Sequence, residues 1–135
     1  RIVLHREMVD ESLRAVLLVP AGKTPTSSVR DLPYGVYAPL ALHAHGLARK
    51  GDWLRAMTLN GLYCAALYDA PAVWSREALA AGALGAGLSG TGPAFAAVAR
   101  AEDVGAVEKA LRAVAPRDAQ VRTVPLSNAR AEVLL

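Results

Sequence analysis

The sequence predicts an α+β sandwich, an antiparallel sheet with helices on one face. Three observations lead there. Short β-branched apolar runs are mostly separated by helical stretches, hairpin-like pairs stand at both ends of the chain, and nothing repeats or splits off as a second domain. At 135 residues, 53% hydrophobic and 20% charged, the chain has the size and composition of one globular domain with a real core. Residues 1–135 are therefore read as a single domain.

In order, Ile2-Val3-Leu4 and Ala15-Val16-Leu17-Leu18-Val19 read as strands around a charged turn at Asp10-Glu11-Ser12. Pro20 to Pro33 is rich in Pro, Ser, Thr and Gly, which is loop chemistry. Two helices are predicted over Val36–Arg49 and Asp52–Tyr68. Gly51 suits the end of the first, and Asp52 the N-cap of the second. The second is apolar almost all round after Met57, so it should be largely buried. A shorter helix follows Pro71, with Ser75 as its cap. A glycine-rich passage then leads into a buried strand at Ala94–Val98. Asp103 is read as the cap of an amphipathic helix with Val104, Val107, Leu111 and Val114 on one face and Glu108, Lys109 and Arg112 on the other. Strands near Gln120–Val124 and Ala131–Leu134 close the chain.

Composition narrows the function classes. Net charge is +3 with Lys and Arg scattered, so no nucleic-acid partner is expected, while a small anionic ligand fits. The longest weakly polar run, Ala78–Leu88, is too short for a bilayer and broken by glycines, so no membrane partner is expected. The single cysteine, Cys64, excludes an internal disulfide and suggests a reducing compartment such as the cytoplasm. The opening Arg1–Arg6 is polar again too soon for a secretory signal. It starts at Arg1 directly in strand-like sequence, which suggests a piece of something longer.

Chemistry concentrates in Gly82-Ala83-Leu84-Gly85-Ala86-Gly87-Leu88-Ser89-Gly90-Thr91-Gly92-Pro93. It holds five glycines in eleven positions, where average usage predicts roughly one. Such density lets the backbone take positive φ and approach a ligand, and successive amides in a turn form a nest for anionic oxygens. Ser89 and Thr91 add hydroxyl donors. The candidate phosphate- or substrate-binding loop is Gly87, Leu88, Ser89, Gly90, Thr91 and Gly92. On glycine number alone, tight helix–strand packing explains the run equally well. The order helix, loop, strand favours a ligand, because it puts the loop at the end of the sheet.

This run resembles the third conserved motif of the GHMP kinases, and its L-S-G-x-G-P form is similar to the homoserine kinase and archaeal shikimate kinase branches. Gly51-Asp52-Trp53-Leu54-Arg55-Ala56-Met57-Thr58-Leu59-Asn60-Gly61 resembles the G-D-x-x-x-A-M-x-x-N-G segment of the second branch, and Thr91 is typical of it. The resemblance runs from Ala15 to the end. It implies a ferredoxin-like two-layer sandwich, the C-terminal domain of a kinase that uses ATP and Mg²⁺ to phosphorylate the 3-hydroxyl of shikimate. It also implies that the loop wrapping the ATP triphosphate, and any catalytic acid, lie in an N-terminal half absent from this chain. No catalytic residue is therefore assigned here, and half of such a site should not turn over alone. Homoserine kinase of the same superfamily is the alternative. From other classes, a non-catalytic ferredoxin-like metabolite-binding module and a dimerisation domain stay open.

Homoserine kinase-like chains carry a Thr-rich loop ending in an arginine that helps hold the substrate carboxylate. The resemblance thus makes Arg30, with Thr24 and Thr26, substrate-binding candidates, and an arginine fork suits a planar carboxylate. A solvated loop arginine is the alternative. Asn60, mid-helix among apolar residues, needs partners if buried. It either meets the glycine loop or substrate, or bonds a neighbouring backbone, while Tyr63 is read as packing. Gly22-Lys23-Thr24 is not a phosphate-binding P-loop, because Leu17 stands where its first glycine belongs and Pro25 spoils the helix. His43 and His45, two apart on a helix, point to opposite sides, so no metal site is expected. Cys64 reads as a small buried hydrophobe. Arg122 and Arg130 are undecided.

Overall fold

The computed structural model describes residues 3, 5–22 and 29–129. Alternation along the strands builds the core. In β1 (Leu13–Val19), Val16 and Leu18 point to one face and are fully buried. Their neighbours on that face come from β2 (Gly85–Leu88), β3 (Phe95–Arg100) and β4 (Gln120–Pro125): Ala86, Phe95, Ala97, Ala99 and Val121. The strand order is β2-β3-β1-β4 and every pairing is antiparallel. With the helices between them, this is the expected ferredoxin-like α+β arrangement.

Three helices precede β2 in the chain: α1 (Tyr34–Arg49), α2 (Trp53–Leu67) and α3 (Val73–Ala80). A fourth, α4 (Val104–Val114), joins β3 to β4. Two of the four close the core. From α3 come Trp74 and Ala78, and from α4 the fully buried Val107 and Leu111. Each such aliphatic side chain contributes about 1.5–3 kcal/mol by leaving water. Trp74 meets Phe95 edge-on at 6.0 Å, and its indole N–H donates to the Val114 carbonyl at 3.3 Å. The periodicity read for α4 is the one observed, with Lys109 and Arg112 exposed.

α1 and α2 form a hairpin docked on the β2 edge. Its bend has a local cause: Gly51 takes φ +84°, letting the Asp52 N–H reach back to Leu47 and the Gly51 N–H to Ala48, both at 3.1 Å. The same closure ends α2, but there Asp69 carries the positive φ, +53°. α2 is only half-buried. Ala56, Gly61, Cys64, Ala65 and Leu67 are covered, whereas Leu62 is exposed.

Several local expectations change. Val3 and residues 5–10 carry no strand, so the N-terminal hairpin is absent among the described residues; Ile2 and Leu4 lie outside them. Val9 instead exchanges two hydrogen bonds with the Asn128 side chain, both at 2.8 Å. The strand expected at Ala131–Leu134 lies outside the described residues. Ser75 does not cap α3: the helix begins earlier, at Val73, and Ser75 is buried within it. Asp52 and Asp103 occupy N-cap positions without a side-chain capping bond. Asp52 turns to Arg55 at 3.4 Å, and Asp103 packs over Gly82.

Candidate functional site

The glycine-rich run is two structures. Gly85 and Gly87 belong to β2, an element the sequence reading missed by treating the whole passage as a loop. Gly87 and Leu88 are therefore strand residues, and the loop proper is Ser89–Ala94. Glycine is poor in strands, and here it stays because α2 leans on it. A Cβ on Gly85 would stand 2.9 Å from the Leu54 carbonyl oxygen, and one on Gly87 the same distance from that of Met57. From the other side, a Cβ on Gly61 would stand 2.4 Å from the Gly87 Cα. Thr58 completes the seam. Its hydroxyl accepts the Ala86 N–H at 3.2 Å and donates to the Leu54 carbonyl at 3.0 Å, so the edge strand is not left open.

The turn is built differently. Ser89 N–H donates to Ala94 O at 2.8 Å, and Gly92 N–H to Ser89 O at 3.2 Å, which pins the loop at its base. Gly90 takes φ +64° and Gly92 φ +83°, with Thr91 between them at negative φ. Alternating signs turn successive amides toward one side, the geometry of an anion nest. Among the described residues, the N–H groups of Gly90 and Thr91 donate to no carbonyl. A Cβ on Gly90 would meet nothing within 4 Å. Packing does not explain this glycine; backbone conformation and an open approach do. Ser89 is exposed and Thr91 half-buried at the same rim.

Chain direction gathers further groups at this end. Leu54 faces Gly85 and Gly61 faces Gly87, so α2 runs with β2 and its C-terminus arrives at the turn. Tyr68, Asp69, Trp74, Thr91, Gly92 and Pro93 line a cavity of about 140 Å³ there. β1 also ends at this edge, since Leu18 pairs with Phe95. Arg30 is exposed on the short turn before α1, which runs antiparallel to α2 and thus starts beside the α2 C-terminus. The Tyr34 hydroxyl donates to the carbonyl of the buried Val29, one residue before Arg30. Desolvation first, then the neighbouring Tyr34, pushes the Tyr68 phenol up to about 12. Thr24 and Thr26 lie outside the described residues.

Asn60 does not reach the glycine turn. It is exposed, and its Oδ1 accepts the Tyr63 hydroxyl at 2.6 Å, while Tyr63 stacks on Tyr37 at 6.3 Å. Asn60 instead lines a groove of about 380 Å³ between α1 and α2, with His45, Trp53 and Met57. Cys64 is buried, and burial pushes its thiol up, away from thiolate chemistry. Arg122 projects from the sheet face opposite the core and pairs with the Gln120 side chain; Arg130 lies outside the described residues. Sequence reasoning missed Thr58 and Tyr34. A hydroxyl inside an apolar helix was the available signal for the first, and nothing local marked the second.

Residues 41–117 match the family model described as GHMP kinases C terminal. Shikimate kinase from Methanosarcina acetivorans is 38% identical over 104 residues, 76% of this chain and 34% of its own length. Shikimate kinase from Methanothrix thermoacetophila is 58% identical over 99 residues, 73% of this chain and 33% of its own. The chain thus spans about a third of the length of the curated relatives it matches. A crystal structure of homoserine kinase from Cytophaga hutchinsonii shares the fold. Its TM-score is 0.57 at 21% identity, over 88% of this chain and 42% of that one.

Proposed function

The chain belongs to the GHMP kinase family, matching its C-terminal domain, and from that premise we propose that it is part of an ATP-dependent shikimate kinase. The reaction is phosphoryl transfer from ATP to the 3-hydroxyl of shikimate. One observation carries the reading: an open turn at the sheet end, with Gly90 and Gly92 at positive φ and two amide donors unused among the described residues. Relatives named shikimate kinase, 34–58% identical, supply the acceptor.

The chemistry asks little more of this domain. In phosphoryl transfer, catalysis is mostly positioning and charge stabilisation. The Gly90 and Thr91 N–H groups are placed to receive oxygens of the transferred group. Preorganised donors of this type are worth about 10²–10³ in kcat each. Arg30, exposed at the same end, offers its fork to the acceptor carboxylate. Thr24 and Thr26 share that role, and Asn60 lines the neighbouring groove. ATP's triphosphate and the catalytic acid are assigned to the N-terminal half of the same kinase, so this chain by itself should be inactive. Magnesium supplies charge neutralisation to ATP. Among the described residues no three His, Cys, Asp or Glu side chains come together as ligands.

No helix among the described residues is long and apolar enough to cross a membrane. We propose a cytoplasmic location from the single, buried cysteine, Cys64.

The test is ATP-dependent phosphorylation of shikimate and of homoserine by the full-length protein. Turnover with shikimate alone is expected. Turnover with homoserine would keep the mechanism and replace the acceptor. Transfer to neither would reject the kinase reading for a non-catalytic, metabolite-binding one.

A further inference from the structure

Two tyrosines at the end of the α1–α2 hairpin join parts of the molecule far apart in sequence. Tyr34 opens α1, and its hydroxyl donates to the carbonyl of Val29. Val29 is buried, so this bond pins the turn from which Arg30 projects. Tyr68 closes α2, meets the Tyr34 phenol, and forms a wall of the cavity behind Thr91, Gly92 and Pro93. Neither ring belongs to the main core. Both are candidates for a task other than stability.

We infer that Tyr34 and Tyr68 are positioning residues, a brace that fixes the Arg30 turn at a set distance from the glycine turn. The inference rests on the reading that Arg30 holds the acceptor carboxylate while the glycine turn faces the transferred phosphoryl group. A small rigid acceptor spans those two groups, so their spacing decides whether both engage together. A tyrosine phenol is protonated through the neutral range, and desolvation moves that of Tyr68 further up, so the brace stays uncharged there. Arg30, on an exposed turn, gains its fixed position through Val29.

The experiment uses full-length Tyr34→Phe, Tyr68→Phe and the double variant. Each single change keeps the ring: Tyr34→Phe removes the bond to the Val29 carbonyl, Tyr68→Phe removes the phenol beside it, and each should raise the KM for shikimate about 3- to 10-fold. The kcat and the KM for ATP should stay unchanged. With the methyl ester of shikimate, which lacks the carboxylate, the variants should match the parent. The double variant should be no worse than the worse single one, because both act through one connection. An equal rise for the ester, or a fall confined to kcat, overturns the brace.

A second readout needs no turnover. Trypsin should cut after Arg30 faster in Tyr34→Phe than in the parent. Unchanged cleavage overturns the inference whatever the acceptor proves to be, and faster cleavage with unchanged shikimate KM also overturns the positioning role. Faster cleavage in a protein that phosphorylates neither shikimate nor homoserine would keep the brace and reject the kinase reading.

Discussion

Gly85 and Gly87 stand three to seven residues from Gly90 and Gly92, yet the two pairs exist for opposite reasons. Around the first pair a Cβ has no room, because the Leu54 and Met57 carbonyls already occupy the space. Around Gly90 it has all the room it needs, and only the φ of +64° excludes a side chain. One pair lets a helix settle on a strand. The other shapes a turn and leaves it open. Glycine number alone therefore cannot distinguish a packing seam from a ligand site; the surroundings of each missing Cβ can.

Three substitutions test that division. Gly61→Ala should have the largest effect on stability. Its methyl would stand 2.4 Å from the Gly87 Cα and 2.8 Å from the Ala86 carbonyl oxygen, both backbone atoms that cannot rotate away. Overpacking of this kind costs about 3 kcal/mol, and the gain of about 1 kcal/mol from Ala in a helix does not offset it. Thermal unfolding should begin several degrees lower. A Tm equal to the parent's would mean that the seam is loose and the β2 glycines are not there for packing.

Gly90→Val comes next. Forcing a β-branched residue to positive φ costs about 1–2 kcal/mol, a smaller loss of stability than in the seam. In the full-length protein, the proposed transfer to shikimate should nevertheless fall at least about 100-fold, since the side chain fills the nest and the backbone resists its shape. A variant that melts like Gly61→Ala but keeps full activity would reverse the comparison and make the turn a packing element too.

The smallest effect is expected at Thr58→Val. It keeps the shape and removes the acceptor of the Ala86 N–H, leaving that partly buried donor unpaired at a cost of about 1 kcal/mol. Calorimetry should show the loss while the KM values stay put. A change in KM for either substrate would show that the seam reaches the turn.

Much of the fold is legible locally. Val104, Val107, Leu111 and Val114 repeat with a helical period, and Val107 and Leu111 are the two that vanish from solvent. β1, β3 and β4 announce themselves through β-branched or compact apolar runs. Gly51 marks its helix end because only a residue at ease with positive φ fits there. The candidate turn is legible too, as Gly90-Thr91-Gly92. Its neighbours are less so. Asn60, read as a possible partner of the turn, belongs to the α1–α2 groove, and its helix register decides this.

The sequence by itself determined the four helices, the strands β1, β3 and β4, the α+β class and the place of the glycine-rich turn, because periodicity and turn chemistry act over a few residues. Only the tertiary structure decided that part of the glycine run is a strand, that α2 docks on it through Gly61, and that the Tyr34 hydroxyl bonds the Val29 carbonyl. Those facts depend on which surfaces meet. A glycine carries no side chain to announce its partner, so the partner becomes visible only once the chain has folded around it.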